Sequence, residues 1–174
     1  MRKIKLPLNG KQIRGLKVGR EILLSGIIYT ARDQAHKRLT ELIKKGKKLP
    51  VDLKNQTVYY CGPTKTPKGK VIGSCGPTTS SRMDEFTPSL LRLGLKGMIG
   101  KGSRSREVIA EIRKHKAVYF VTYAGCGALL ASKIIKAKPL CFKDLGPEAI
   151  YRLEVKDFPV IVAVDSKGRN IYKS

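Results

Sequence analysis

Apolar positions along the chain recur with two different periods, and this predicts alternating strands and helices. The run Glu21–Thr30 is short, apolar and partly β-branched, which is typical of a buried strand. After it, apolar residues repeat at helical spacing between charged ones, which predicts an amphipathic helix from about Arg32 to Lys45. Gly46 marks the end of that helix, because glycine readily adopts the backbone conformation that closes one.

The same patterns continue to the end of the chain. Short apolar runs predict further strands at 57–60, 71–74, 97–100, 117–123, 150–155 and 160–164. Helices are predicted over 87–94, where Thr87 can cap and Pro88 suits the first turn, over 104–114, and from 124 into a strand near 135. Strands and helices mix without a clean boundary. We therefore expect a single α/β domain over residues 1–174, with a mixed sheet.

Composition narrows the expected location and partners of this domain. No apolar run approaches the roughly 20 residues that span a bilayer, and the first residues lack the apolar segment of a secretory signal, so we expect a cytoplasmic protein and no membrane partner. Lys and Arg number 36 against 13 Asp and Glu, which gives a net charge of +23. This charge favours nucleic acid, an acidic protein surface or small polyanions as partners, and a Lys-rich solvated surface explains it equally well.

The four cysteines do not form a recognisable metal-binding pattern. Cys61, Cys75, Cys126 and Cys141 are separated by 14, 51 and 15 positions, and none belongs to a C-x-x-C motif. Free, buried thiols are therefore expected. Iron–sulfur ligands usually come in short spaced groups, so we do not expect this chain to hold a cluster by itself, and no metal ligand is assigned.

Three polar segments follow predicted strands: residues 30–38, 76–84 and 99–103. Active sites of α/β proteins gather where strands feed loops and helix N-termini. Arg32, Arg82 and Lys101 would form a cationic site suited to a small dianion, since Arg binds a carboxylate through two parallel N–H bonds. The alternative is that all three are surface charges, which are common in so basic a chain.

Other candidate chemistries are weaker. His36 lies one helical turn after Arg32 and could titrate near neutral pH, but a structural histidine is equally consistent with this position. The segment 100–103 lacks the spacing of a nucleotide-binding loop, and the hydroxyl cluster 78–81 has no histidine at nucleophile-elbow spacing. An aromatic content of 6% gives little support to base stacking, so nucleic acid is an unlikely partner.

The nonapeptide Gly-Pro-Thr-Thr-Ser-Ser-Arg-Met-Asp at 76–84 resembles the signature of the C-terminal domain of class I fumarases. The same domain is the β subunit of two-subunit fumarases and L-tartrate dehydratases. The resemblance extends in family order through residues 25–26, 31–38, 50–53, 60–63 and 98–102, and covers roughly residues 20 to 165.

The resemblance implies a swivelling β/β/α domain. It also implies an oxygen-sensitive [4Fe–4S] cluster that three cysteines hold on a separate α-type domain, which this chain lacks. The chain would then be inactive alone, with its active site at the interface to an α subunit, and we expect a heterotetramer or larger assembly. The implied reaction is the reversible hydration of fumarate to L-malate. The close rival is L(+)-tartrate dehydratase, which converts tartrate to oxaloacetate; a basic nucleic-acid-binding module is the distant alternative.

The resemblance assigns roles to individual residues. It places Arg32, Arg82 and Lys101 on the carboxylates of a small dicarboxylate substrate, and makes Thr78 the proton-abstracting group. It implies that Thr79 and Asp84 shape the loop. His36 and Asp33 also match the family pattern, with less definite roles. The catalytic candidates are thus Thr78, Arg82 and His36. The substrate-binding candidates, besides Arg32, Arg82 and Lys101, are Thr79 and Asp33.

Overall fold

The structure, a computed structural model, describes residues 1–172. Its strands are β1 (Arg2–Lys5), β2 (Glu21–Thr30), β3 (Thr57–Tyr59), β4 (Gly97–Gly100), β5 (Val118–Val121), β6 (Ile134–Cys141) and β7 (Ile150–Val164). Its helices are α1 (Gly10–Gly15), α2 (Asp33–Lys44), α3 (Thr87–Arg92), α4 (Arg106–His115) and α5 (Gly127–Ala131). Short 3₁₀ turns cover Ser80–Met83 and Lys143–Glu148. The expected α/β class with a mixed sheet is confirmed.

The seven strands form one sheet that closes on itself. Strands β1 to β5 pair in sequence order and in parallel, whereas β7 runs antiparallel to β2, β5 and β6. Because β7 bonds to both β2 and β5, the strands β2, β3, β4, β5 and β7 complete a ring. The parallel direction of β2 to β5 brings their carboxyl ends to one rim of this ring.

Alternate residues of the central strands face two separate apolar clusters. Tyr59 and Ile99 pack on one face with residues of β1, β2, β7 and α1. Their chain neighbours Val58 and Met98 pack on the other face, under the apolar sides of α2, α3 and α4. The short strands are buried along their whole length, which explains why their sequences show no polar alternation.

Helices α3 and α4 begin in different ways. In α4 the hydroxyl of Ser105 accepts a hydrogen bond from the Val108 N–H at 3.2 Å, which is an ordinary N-cap. Helix α3 has Pro88 in its first turn, as expected, but Thr87 does not cap it. The Thr87 hydroxyl instead donates to the Met83 carbonyl at 2.8 Å and ties the helix to the turn before it.

Several predicted elements need correction. The predicted strand at 71–74 is wrong: Ser74 exchanges hydrogen bonds with Thr64, so this segment folds against a neighbouring loop. The two predicted strands at 150–155 and 160–164 are one continuous strand, β7. Pro159 did not break it. Strand β1 and helix α1 were not predicted.

No helix within residues 1–172 is long and apolar enough to cross a bilayer. The swivelling motion that the resemblance implied stays a prediction.

Candidate active site

The candidate segments meet at the rim formed by the carboxyl ends of β2, β3 and β4. Arg32 follows β2 and Lys101 follows β4. The loop 76–84 crosses between them: the Thr78 N–H donates to the Tyr60 carbonyl at 2.7 Å, and the Ser80 N–H donates to the Lys101 carbonyl at 2.9 Å. Thr79 pairs with Lys101 as an isolated parallel bridge. The loop is therefore fixed by backbone bonds to the ends of two strands.

An ion pair joins this loop to the start of α2. Arg82 Nε donates a hydrogen bond to Asp33 Oδ1 at 3.0 Å, and Arg82 Nη2 lies 2.9 Å from Asp33 Oδ2, within ion-pair distance. The Arg82 side chain stays 52% exposed. A guanidinium has five N–H donors, so Asp33 can orient Arg82 while other donors remain directed outward.

Arg32 lies half-buried at the same rim, and a glycine makes room for it. A Cβ atom on Gly62 would lie 2.9 Å from Arg32 Cδ and 3.0 Å from its Nη1. The Arg32 Nε is buried and has no hydrogen-bond partner within residues 1–172. A buried N–H without an acceptor is costly, so this donor is suited to an acceptor that the chain itself does not supply.

Thr78, Thr79 and Lys101 complete the rim. Thr78 and Lys101 are half-buried and Thr79 is exposed. Gly102 follows Lys101 with a φ of 80°, a left-handed conformation that glycine adopts without strain. The rim therefore combines three cations and a hydroxyl group at the ends of neighbouring strands, which is the arrangement that the sequence predicted for a small dianion.

His36 is buried beneath the rim. Its Nδ1 lies 2.8 Å from the Arg32 carbonyl, so Nδ1 carries the proton and donates, while the buried Nε2 has no partner within residues 1–172. Burial lowers the pKa of His36 to about 4, with the charge of Arg104 acting in the same direction and the bond to Arg32 opposing it. The imidazole is thus neutral at pH 7 and bonded to the backbone of Arg32.

Sequence reasoning missed a buried arginine behind the loop. Arg104 Nε donates to Asp84 Oδ1 at 2.6 Å, and its Nη2 donates to the Thr87 hydroxyl at 2.7 Å. The guanidinium lies 5.3 Å from the ring centre of Tyr60 and 4.9 Å from that of Tyr119. In the sequence Arg104 stood in a basic stretch before a helix, and nothing there distinguished it from a surface charge.

The cysteines in the described part of the chain are not grouped as the ligands of an iron–sulfur cluster are. Within residues 1–172 no three Cys, His, Asp or Glu side chains are placed to hold a metal ion. All four cysteines are free, as expected. Cys61 and Cys75 are buried, which confirms the prediction for them, whereas Cys126 and Cys141 are only half-buried. A hydrogen bond with Cys75, together with burial, raises the pKa of the Cys61 thiol, which disfavours the thiolate form that ligates iron.

A sizeable cavity lies away from the rim. A cavity of about 600 Å³ is lined by Leu8, Ile13, Lys96 and Lys116, among others. Lys96 directly precedes β4 and Lys116 lies two residues before β5, so this cavity lies at the amino ends of the strands, opposite the rim. We place the candidate site at the rim because the convergent cations and the orphaned Arg32 donor are there.

The fold and the rim together define an α/β protein with Arg32, Arg82 and Lys101 at one edge of its ring of strands. Residues 1–174 match the family described as Fumarase C-terminus, and the chain belongs to that family. This confirms the resemblance seen in the nonapeptide at 76–84.

Named relatives differ greatly in length. The chain is 40% identical over 172 residues to "Putative L(+)-tartrate dehydratase subunit beta" of Methanocaldococcus jannaschii, an alignment covering 95% of the chain and 88% of that protein. It is 40% identical over 164 residues to the anaerobic class I fumarate hydratase of Escherichia coli, and 38% identical over 164 residues to fumarate hydratase 2 of Leishmania major. The alignments cover 93% of this chain in both cases, but only 30% and 29% of those two enzymes.

Proposed function

We propose that this chain is the β subunit of a [4Fe–4S] hydro-lyase that adds water reversibly to fumarate, forming L-malate, together with a separate α subunit. The observation that supports the proposal is that Arg32, Arg82, Lys101 and Thr78 all lie at the rim where β2, β3 and β4 end. The lengths of the relatives support a division of the enzyme into two subunits. The chain has nearly the extent of a protein named as a β subunit and under a third of that of two fumarate hydratases.

In this proposal the three cations bind the two carboxylates of the substrate. Arg82 is oriented by Asp33 and still half-exposed. Arg32 contributes a buried N–H that lacks an acceptor within residues 1–172, and Lys101 adds a compact positive charge from the neighbouring strand. Two arginines and a lysine at one edge suit a dicarboxylate better than a monoanion, because two separate anionic groups must be neutralised.

Thr78 is the proposed proton carrier at the carbon next to a carboxylate. Removing that proton from malate leaves negative charge that spreads onto the carboxylate oxygens, where the three cations stabilise it. The same cations favour the alkoxide form of Thr78 over the hydroxyl by Coulomb attraction. The backbone bond from Thr78 to Tyr60 holds the residue at the rim.

The other candidates have supporting roles in the proposal. Thr79 pairs with Lys101 and keeps the loop in register, although its exposed side chain can also contact substrate. Asp33 orients Arg82. His36 is buried and neutral, so we assign it to positioning the Arg32 backbone.

The cluster belongs, in this proposal, to the α subunit, because the residues of this chain do not fit it. The rim is then one wall of a site that closes when the α subunit docks, within a heterotetramer or larger assembly. This chain alone would be inactive. A cytoplasmic location remains part of the proposal.

Tartrate dehydration is the second candidate. The observation that favours it is the relative named as a tartrate dehydratase β subunit, whose length this chain almost matches. Tartrate differs from malate by one hydroxyl group, and the rim residues described here contact carboxylates rather than that hydroxyl.

The test is co-expression with an α partner that carries three cluster-binding cysteines, with purification and assay under exclusion of oxygen. We expect fumarate hydration by the complex and none by the chain alone. Turnover of tartrate without fumarate would move the assignment to the rival. Tight, salt-sensitive DNA binding without α-subunit binding would support the nucleic-acid alternative and end the enzyme proposal.

A matched pair of arginine variants tests the site. Arg82→Ala should abolish turnover while the complex still assembles. Arg92→Ala, which removes an exposed arginine on α3 at a distance from the rim, should leave turnover unchanged. Full activity of the Arg82→Ala complex would contradict the assignment of the rim as the substrate site.

A further inference from the structure

We propose that Tyr119 and Ser80 are positioning residues, which hold Lys101 at the rim through a directed chain of hydrogen bonds anchored on buried Arg104. The proposal rests on the proposed function, since it explains how a substrate-binding lysine at a strand end is kept in place. None of these three residues stood out in the sequence.

Counting protons determines the direction of this chain. Tyr119 Oη lies 2.8 Å from the Gly102 carbonyl and 2.8 Å from Ser80 Oγ. A phenol has one proton, and a carbonyl can only accept, so Tyr119 donates to Gly102. Ser80 must then donate its own proton to Tyr119. Burial raises the pKa of Tyr119, so the phenol keeps its proton at neutral pH.

Ser80 hydrogen-bonds to both the N–H and the carbonyl of Lys101. Ser80 Oγ, having donated to Tyr119, accepts from the Lys101 N–H at 3.1 Å. The Ser80 N–H donates to the Lys101 carbonyl at 2.9 Å. The Lys101 N–H is therefore held by the Ser80 side chain, the Lys101 carbonyl by the Ser80 backbone, and the Gly102 carbonyl by the Tyr119 hydroxyl.

Close packing makes the chain sensitive to small changes. Ser80 is fully buried, and a Cβ atom on Gly100 would lie 1.9 Å from its Oγ and 2.8 Å from the Tyr60 ring. Glycine at position 100 is thus required for Ser80 to reach Lys101. This gives a physical reason for the small residue that precedes the lysine.

Arg104 supports the phenol from behind. Its guanidinium carbon lies 4.9 Å from the centre of the Tyr119 ring, and its Nη1 donates to the Tyr60 hydroxyl at 3.2 Å. Asp84, at the end of the substrate loop, accepts from both Arg104 and the Ser105 N–H. One buried cation thus fixes the ring that orients Lys101 and the loop that carries Thr78 and Arg82.

If these hydrogen bonds position Lys101, breaking them should have a specific effect on the kinetics. Lys101 contacts a carboxylate both before and during the reaction, so misplacing it weakens ground-state and transition-state binding together. Such uniform loss raises KM and leaves kcat almost unchanged. A purely structural role would instead lower stability and the amount of active enzyme, which reduces apparent kcat at unchanged KM.

The experiment uses the reconstituted α–β complex with fumarate as substrate. Tyr119→Phe removes one hydroxyl and keeps the ring over Arg104; losing the two hydrogen bonds of that hydroxyl should raise KM about tenfold or more. Ser80→Ala should do the same. The double variant should raise KM by less than the product of the two single effects, because both substitutions break the same Ser80–Tyr119 hydrogen bond. Tyr151→Phe is the control, since that hydroxyl makes no hydrogen bond within residues 1–172.

The outcomes separate this proposal from the function it rests on. An inactive wild-type complex, with neither fumarate nor tartrate turned over, would refute the proposed function. If the wild-type complex is active, unchanged KM in Tyr119→Phe overturns the positioning role. Additive effects of the two substitutions would likewise show that Tyr119 and Ser80 act separately.

Discussion

Replacing Arg104 by methionine tests how strongly the fold depends on the buried charge behind the loop 76–84. The arginine side chain is fully buried and the Asp84 side chain is 15% exposed. Arg104→Met keeps most of the side-chain volume but leaves the Asp84 carboxylate with the Ser105 N–H as its remaining bonded donor within residues 1–172. It also removes donors from the Tyr60 and Thr87 hydroxyls.

The expected loss follows from breaking one side of a buried ion pair. Such a change costs about 3–5 kcal/mol, because the remaining charge is buried without compensation. A domain of ordinary stability has about 5–15 kcal/mol in total, so the variant should fold with a clearly reduced margin. For a chain of this size each kcal/mol lowers Tm by about 2–4 °C, so Tm should fall by about 6–20 °C.

Urea unfolding of the isolated chain, followed by circular dichroism, measures this loss without any partner subunit. Asp84→Asn should also destabilise, because it leaves the guanidinium uncompensated. The double variant should lose less than the sum of the two single ones. Lys136→Met is the control: its 3.6 Å pair with Glu154 is largely exposed, and the change should stay within about 0.5 kcal/mol.

The result that would refute this reasoning is a loss of less than about 1 kcal/mol in Arg104→Met, the size of an ordinary hydrogen bond. Full additivity in the double variant would also count against it. Either outcome would mean that water or neighbouring groups satisfy Asp84 once the arginine is removed.

Two further predictions concern the wall of the site. The pKa of His36 is about 4 in the folded chain against 6.5 in the unfolded one, so the unfolded state binds the proton more readily. The free energy of unfolding should therefore fall by up to about 3 kcal/mol as the pH drops from about 6.5 to about 4. In urea titrations, His36→Gln should remove this part of the pH dependence. An equal slope in both proteins would contradict a buried neutral imidazole. Gly62→Ala should displace Arg32, because the Cδ atom of Arg32 lies 2.9 Å from the position of the added methyl group, and the KM of the complex should rise at least tenfold. Gly69→Ala is the control: Gly69 has a positive φ and open space around it, so this change should alter stability alone. Unchanged KM in Gly62→Ala would show that Arg32 is not held by this contact.

Sequence reasoning succeeded where local pattern decides the structure. The span of β2 was predicted to the residue, and α2 within one residue at each end, because both have strong apolar periodicity. Arg32 and Lys101 lie at one rim because each follows a strand, as predicted, whereas Arg82 reaches this rim on a loop whose predicted preceding strand, 71–74, does not form. That they lie there is observed; their roles on a substrate remain proposals.

What the sequence could not predict depends on distant contacts. Asp33 and Arg82 are 49 positions apart, and their ion pair exists only once the loop lies across the rim. The buried state of Arg104 depends on Tyr60 and Tyr119, which reach it from β3 and β5. In the same way Pro159 lies inside β7, where the pattern indicated a break, because neighbouring strands hold it there.

The ring of strands has a consequence for how the protein is made. Strand β7 closes the ring by pairing Glu21 with Ile161, a contact between segments about 140 residues apart in the chain. Such distant pairings close slowly, since a long loop must be ordered first. On the ribosome, the strands that carry Arg32 and Lys101 emerge before the strand that completes the ring. Each nascent chain therefore passes through a stage in which the rim residues are synthesised but their ring is still open, and β2 presents an unpaired edge to other proteins, including chaperones.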